Sequence, residues 1–305
     1  MGADDFSARF APWLRDRVEL SFGPDPRRHG TMFYGGASLL AAAEDFASTL
    51  PYAGRWPDEI RRFTDASQPF GHFFKVDWCD RRPVVLTAYA RFKKGSTTAE
   101  RLADAASDIG FAWPDACVRL RDALGEEPFL VGLRTAQDGV RQGAVYFALR
   151  PTYDELLREV VPTVAAAIGL ESEHLPRIHA DVEQLHDDES LARLGMEVGI
   201  HYTAGSADLR CTFYLREIPG DRACRFVEST GSGEAARVAD LAEALPRRRF
   251  LYAGVRYDGE GRRTGWKLYA LVRPAVPLAD LDPTVSPTAE LLGKAFRAAP
   301  SGTVL

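Results

Sequence analysis

Cysteine is scarce: Cys79, Cys117, Cys211 and Cys224 are the four in 305 residues, and none forms a Cys-x-x-Cys pair. That scatter excludes a zinc ribbon or a disulfide framework and points to reduced thiols in a cytoplasm. Long apolar runs are lacking as well. The stretch at residues 160–170 is interrupted and far short of a bilayer span. Residues 1–10 carry Asp4 and Asp5 and no apolar core, so no secretory signal is expected. Positive charge is not in excess. Lys+Arg is 38 against 43 Asp+Glu, a net charge of -5, which argues against an obligate nucleic-acid partner but allows a local basic cleft. P-loop, dinucleotide-binding, Gly-x-Ser-x-Gly and His-Glu-x-x-His motifs are absent. His174, His179 and His186 lie close in sequence without metal-ligand spacing. What remains is ordinary globular composition, 46% apolar and 27% charged, which excludes wholesale disorder. A single domain over residues 1–305 is expected.

Against these absences stands a repeat. Four segments read as β-hairpins, at residues 71–92, 129–150, 196–216 and 250–273, with Gly, Asp, Ser and Pro between runs rich in Val, Tyr, Phe and Thr. A weaker fifth lies at residues 17–36. First strands share VGLR (131–134), VGIH (198–201) and AGVR (253–256), with FKVD (74–77) as a looser copy. Second strands share a Tyr and an Arg at even spacing, in TAYAR (87–91), YFALR (146–150), TFYLR (212–216) and KLYALVR (267–273). The spacers at residues 37–50, 97–110, 152–170, 175–185 and 232–246 have helical periodicity, with Pro162 expected to kink or break the third. The predicted fold is α+β: repeated α-β-β-α units whose hairpins close into a ten-stranded antiparallel β-barrel surrounded by helices. Closure removes the exposed edges of so wide a sheet, and ten strands enclose a ligand cavity.

Side chains alternate across a strand, so each hairpin has two faces. Leu86, Ala88, Ala90, Val145, Phe147, Leu149, Cys211, Phe213, Leu215, Leu268, Ala270 and Val272 should meet the helices. The other face carries Thr87, Tyr89, Arg91, Tyr146, Ala148, Arg150, Thr212, Tyr214, Arg216, Lys267, Tyr269 and Arg273 from second strands, and Lys75, Asp77, Arg134, Glu197, His201, Tyr252 and Arg256 from first strands. Solvated faces favour Lys and Glu; this one favours Tyr and Arg. Turned inward, it suits a small, highly charged anion beside aromatic rings. Diphosphate is one such anion, held by charge-assisted bonds, and tyrosine π-faces would shelter a carbocation. The Thr230-Gly231-Ser232-Gly233 loop reads either as an anion cradle or as a plain helix cap.

These features resemble the ABBA-fold aromatic prenyltransferases. VELSF (18–22) is similar to the Glu-Leu-Ser strand of the indole branch, VDWCDRRPVVLTAYARF (76–92) to a hairpin of the phenol and naphthalene branch, and YFALRPTYDEL (146–156) to its strand-to-helix junction. WKLYALV (266–272) resembles the last strand, whose Lys grips diphosphate. The resemblance implies a cytoplasmic enzyme of secondary metabolism that moves a dimethylallyl or geranyl group from its diphosphate to an electron-rich ring: an indole or tryptophan, a phenol, or a peptide aromatic. It implies catalytic roles for Glu19, Tyr89, Tyr146, Tyr214 and Tyr269. Lys75, Arg91, Arg134, Arg256 and Lys267 would bind diphosphate, and His201 and Glu197 the acceptor. No metal ligand is assigned; Mg²⁺ remains open as a companion of the diphosphate. The chain departs from the indole branch in carrying Thr87-x-Tyr89 for Lys-x-Tyr and Gln142-x-Ala144-x-Tyr146 for Arg-x-Lys-x-Tyr. Arg91, Arg134 and Arg256 are the candidates to replace those cations. Asp4–Asp5 and Asp187–Asp188 lack the final aspartate of an Asp-Asp-x-x-Asp motif, which leaves the helical, Mg²⁺-clustering transferases unsupported. A non-catalytic binder on the same barrel and a clamp-like scaffold are the competing readings. No membrane or nucleic-acid partner is expected.

Overall fold

The computed structural model describes residues 3–14, 18–272, 288–290 and 292. Ten strands pair antiparallel in the closed order β1-β10-β9-β8-β7-β6-β5-β4-β3-β2. They are β1 (Val18–Phe22), β2 (Arg28–Gly35), β3 (Gly71–Cys79), β4 (Arg82–Arg91), β5 (Leu130–Ala136), β6 (Arg141–Leu149), β7 (Met196–Thr203), β8 (Leu209–Pro219), β9 (Arg249–Asp258) and β10 (Arg263–Val272). The hairpin at residues 17–36 completes the barrel, because β1 pairs with both β2 and β10. Without it β10 and β3 would each present a free edge. Arg273 lies outside the described residues.

The outward-facing set is buried as the alternation requires; Leu86, Val145, Phe147, Cys211, Leu268 and Val272 are fully covered. Each large apolar side chain so buried contributes about 1.5–3 kcal/mol. The helices supply the cover from between the hairpins. Trp56–Ser67, Asp115–Leu124, Asp188–Leu194 and Gly220–Ser229 add to the spacer helices read from periodicity. Helix Ala3–Leu14 also covers the first hairpin, with Phe6 and Phe10 packed on Phe33, Phe46, Phe74 and Trp78. Helix Ala99–Ser107 starts where Thr98 Oγ1 accepts from the Arg101 N–H, and Gly110, at φ 77°, turns the chain after it. Pro162 does not break its helix. A π-helical turn at Leu156–Val160 precedes it, and the proline sits in the first turn of Val161–Ala167, where its missing N–H costs little. The Thr230–Gly233 loop closes on itself, with the Thr230 hydroxyl donating to the Val227 carbonyl and accepting from the Ser232 N–H.

One buried polar network ties helix Leu175–Leu185 to the last hairpin. Asp181 accepts the Tyr257 hydroxyl at 2.7 Å and the Arg263 guanidinium at 2.7 Å. Tyr257→Phe should cost about 1–2 kcal/mol, read as a melting temperature lower by roughly 2–6 °C. An unchanged melting curve would show that this bond does not hold the helix to the hairpin. No helix among the described residues is long and apolar enough to cross a membrane.

Candidate active site

Residues two apart on a strand face the same way, about one layer further along the barrel axis. The ladder register therefore sorts the lumen into layers. The middle layer is a belt of Tyr89, Tyr146, Tyr214 and Tyr269, one each from β4, β6, β8 and β10. Successive ring centroids lie 6.1, 5.9 and 6.1 Å apart, and Tyr252 stands 6.1 Å from Tyr269. Met32 takes the matching position on β2, opposite Lys75. Each of the first three tyrosines lies across from a glycine on the next strand: Gly132, Gly199 and Gly254. A Cβ there would sit 2.8–2.9 Å from the ring. These are the glycines of VGLR, VGIH and AGVR, so the repeat motif is a seat for the neighbouring tyrosine. Burial pushes the phenols of Tyr89, Tyr146 and Tyr269 upward, which keeps these rings neutral. Lys75 Nζ already stands over the Tyr269 ring at 5.3 Å, so the belt accepts a cation.

Below the belt, toward the hairpin turns, a cavity of about 330 Å³ is lined by Asp77, Trp78, Arg134, Arg256, Trp266 and Lys267. Lys267 Nζ donates to Asp77 Oδ1 at 2.9 Å, and Lys75 Nζ lies 3.6 Å from the same oxygen. Burial opposes the Asp77 charge, but Lys267, Lys75 and Arg134 hold its carboxyl well below the usual range. Burial also pushes the Lys267 ammonium down to about 7, Asp77 restoring only part of the loss. His201 faces the same layer, edge-on to Tyr146 at 5.7 Å between ring centroids.

Above the belt a second cavity of about 180 Å³ holds Glu19, Tyr34, Phe73, Arg91, Glu197 and Arg216 in its wall. Glu19 is 3% exposed and accepts the Tyr34 hydroxyl. Glu197 pairs with Arg216 and accepts the Tyr252 hydroxyl at 3.3 Å. Burial raises the Glu197 carboxyl, with Arg216 working against it. Arg91 stands over Phe70 and Phe73 at this upper mouth.

No protein-family model and no curated protein sequence matches the chain. Solved structures do. The 6-dimethylallyltryptophan synthase from Micromonospora olivasterospora, in complex with DMASPP and Trp, aligns at TM-score 0.57 and 12% identity over 84% of this chain and 81% of that one. The 5-dimethylallyltryptophan synthase from Streptomyces coelicolor gives 0.57 and 15% over 84% and 80%. Prenyltransferase PriB, in its ternary complex with L-tryptophan and dimethylallyl thiolodiphosphate, gives 0.56 and 15% over 84% and 79%. The fold is the ABBA prenyltransferase barrel.

Within this prenyltransferase barrel the expected site residues all face the lumen, but not in the expected groups. Lys75, Arg134, Arg256 and Lys267 gather at and below the belt. Arg91 does not join them; it lies above the belt with Glu19 and Glu197. His201 and Glu197, four residues apart on β7, fall on opposite sides of the belt, His201 with the cations. The three substituted positions of the indole pattern have basic cross-strand partners: Arg134 lies opposite both Thr87 and Gln142, and His201 opposite Ala144. Glu19 is an enclosed carboxylate rather than a solvated strand end. Asp77, Arg216 and Tyr252 were legible as lumen-facing but carried no role. Tyr34 and the seating glycines were not singled out, though the glycines had a signal in their fixed place one residue into each motif.

Proposed function

We infer that the chain is an aromatic prenyltransferase, with the donor diphosphate below the tyrosine belt and the aromatic acceptor above it. The observation that carries this reading is the belt itself, four tyrosines between a chamber of cations and a chamber holding a buried carboxylate. Arg134, Arg256 and Lys267 suit the diphosphate and would stabilise the charge that grows as the allylic C–O bond breaks. The allyl cation would then lie among ring π-faces, screened from water by the barrel wall. Glu19, fixed by Tyr34, would accept a hydrogen bond from the acceptor's N–H or O–H and raise the nucleophilicity of its ring. The ring carbon attacks C1 of the allyl group, and loss of its proton restores aromaticity. On this reading the reaction belongs to secondary metabolism and runs in a reducing cytoplasm, which the unbridged Cys79, Cys117, Cys211 and Cys224 support.

Among the described residues no group of three or more His, Cys, Asp or Glu side chains forms a metal site. Asp77 is already engaged by two ammoniums, Lys75 and Lys267, so it offers no free carboxylate to a resident metal. The test is an intact-mass screen with dimethylallyl and geranyl diphosphate against tryptophan, tyrosine, indoles, dihydroxynaphthalenes and short aromatic peptides, with Mg²⁺ and with EDTA. A product heavier by one prenyl unit is expected. Binding of acceptor without any product would leave a non-catalytic binder.

The Lys267 ammonium sets a pH dependence. Below pH 7 it is already charged and itself takes up no proton when the donor binds. Above pH 7 the donor must bring a proton with it, so kcat/KM for the donor should fall, by up to about tenfold per pH unit. Lys267→Arg should remove the inflection near pH 7; an unchanged profile would take Lys267 out of the donor site.

A further inference from the structure

Beside the lower chamber stands a basic group that the reading above does not use. His201 stands on β7 at the position of Arg134 on β5 and Arg256 on β9, the last residue of VGIH where VGLR and AGVR end in arginine. Its Nε2 is buried and has no hydrogen-bond partner among the described residues. The atom rises beside Gly199, where a Cβ would come within 3.1 Å of it. A buried ring nitrogen without a partner is costly in a packed interior, and a ligand atom is one way to satisfy it.

The charges that face His201 have one sign. Arg134 approaches from β5, Arg210 is its cross-strand neighbour on β8, and Arg256 and Lys267 come from β9 and β10. From β6 it meets the neutral phenol of Tyr146. Of the two carboxylates that line the lower chamber, Asp77 is taken up by Lys75 and Lys267 and Asp25 by Arg27 and Arg28. An imidazolium here would be one more cation with nothing to balance it. Burial, then Arg256 and Arg134, push the imidazole well below its ordinary value. A polyanion seated among these groups reverses the sign of the local field and by linkage favours the protonated ring.

We propose that His201 is a fourth ligand of the diphosphate, beside Arg134, Arg256 and Lys267, and that seating the anion turns its imidazole into an imidazolium that donates to a diphosphate oxygen. The proton comes from solvent on binding and returns to it when inorganic diphosphate leaves. Donor binding and diphosphate release are thereby coupled to a proton on His201, in addition to the one that Lys267 takes up above pH 7. The inference rests on the diphosphate site proposed above.

The test uses the full chain labelled with ¹⁵N-histidine, and inorganic diphosphate as the probe. His201 is one of six histidines, and its ring signals are those missing in His201→Gln, or in His201→Asn if the glutamine variant does not fold. At pH 7.5 the ring should show the two separated nitrogen shifts of a neutral tautomer. With saturating diphosphate they should converge on the imidazolium value. Calorimetry in two buffers of different ionisation enthalpy should find proton uptake that shrinks in the variant, whose affinity for diphosphate falls roughly 10-fold. Diphosphate that binds while His201 stays neutral, or while another histidine changes instead, overturns the proposal and leaves the site standing. No diphosphate binding at all removes the site, and the proposal with it.

Discussion

Lys267→Met should lower kcat/KM for an allylic diphosphate by about 10²–10³-fold, the loss that follows removal of one preorganised donor to developing charge. The folded barrel should survive the change. Lys267 holds its ammonium against burial that pushes it down to about 7, so removing it removes a strained charge. Asp77 keeps Lys75 at 3.6 Å, and that lysine is raised because Asp77, Tyr89 and Glu19 outweigh burial. Expected together are a large kinetic loss and a melting temperature within a few degrees of the parent. The measurement is steady-state turnover of dimethylallyl diphosphate with the acceptor found by mass, beside a thermal scan. Turnover within threefold of the parent would move the diphosphate away from Lys267. A collapse in stability with proportionate loss of activity would make Lys267 a structural partner of Asp77.

That prediction depends on height within the barrel, the quantity hardest to read from sequence. Facing was legible. Period-two alternation separates Tyr89, Tyr214 and Lys267 from Leu86, Phe213 and Leu268 without any knowledge of pairing. Which residues share a layer depends instead on register, and register follows from turn length and bulges such as the shift at Arg263/Gly265. Arg91 and Tyr89 are two residues apart, face the same way, and still fall in different layers, Tyr89 in the belt and Arg91 above it. His201 and Glu197 separate for the same reason. Helix Ala3–Leu14 escaped because its apolar residues are aromatic and follow no motif repeated elsewhere; tertiary packing on Phe33 and Phe74 holds it. The weak hairpin at residues 17–36 was legible as strands, but its place in the barrel rests on a pairing between residues 18–22 and 268–272, at opposite ends of the described chain.

The glycines offer the sharpest test of how the belt is built. In an ordinary strand, valine for glycine adds β-propensity and side-chain packing, and it stabilises. At Gly254 the sign should reverse. A Cβ there meets Tyr214 Cε1 at 2.8 Å and Thr212 Cγ2 at 3.3 Å, and valine adds two more carbons to that crowding. Tyr214 is 8% exposed and backed by Tyr146 and Tyr269 at 5.9 and 6.1 Å, so its ring has little room to turn aside. Gly254→Val should therefore cost about 3 kcal/mol, at the upper end for overpacking, and abolish turnover by tilting the ring out of the belt. The matched variant decides the cause. With Tyr214→Ala the space reopens, so Gly254→Val in that background should cost nothing or stabilise, a coupling of at least ~2 kcal/mol between two directly paired residues. Activity should not return with stability, because the double variant has a sound strand and a gap in the belt. Equal cost of Gly254→Val in both backgrounds, measured by urea unfolding, would mean that the glycine answers to something other than the ring, and the repeat would lose its meaning as a tyrosine seat.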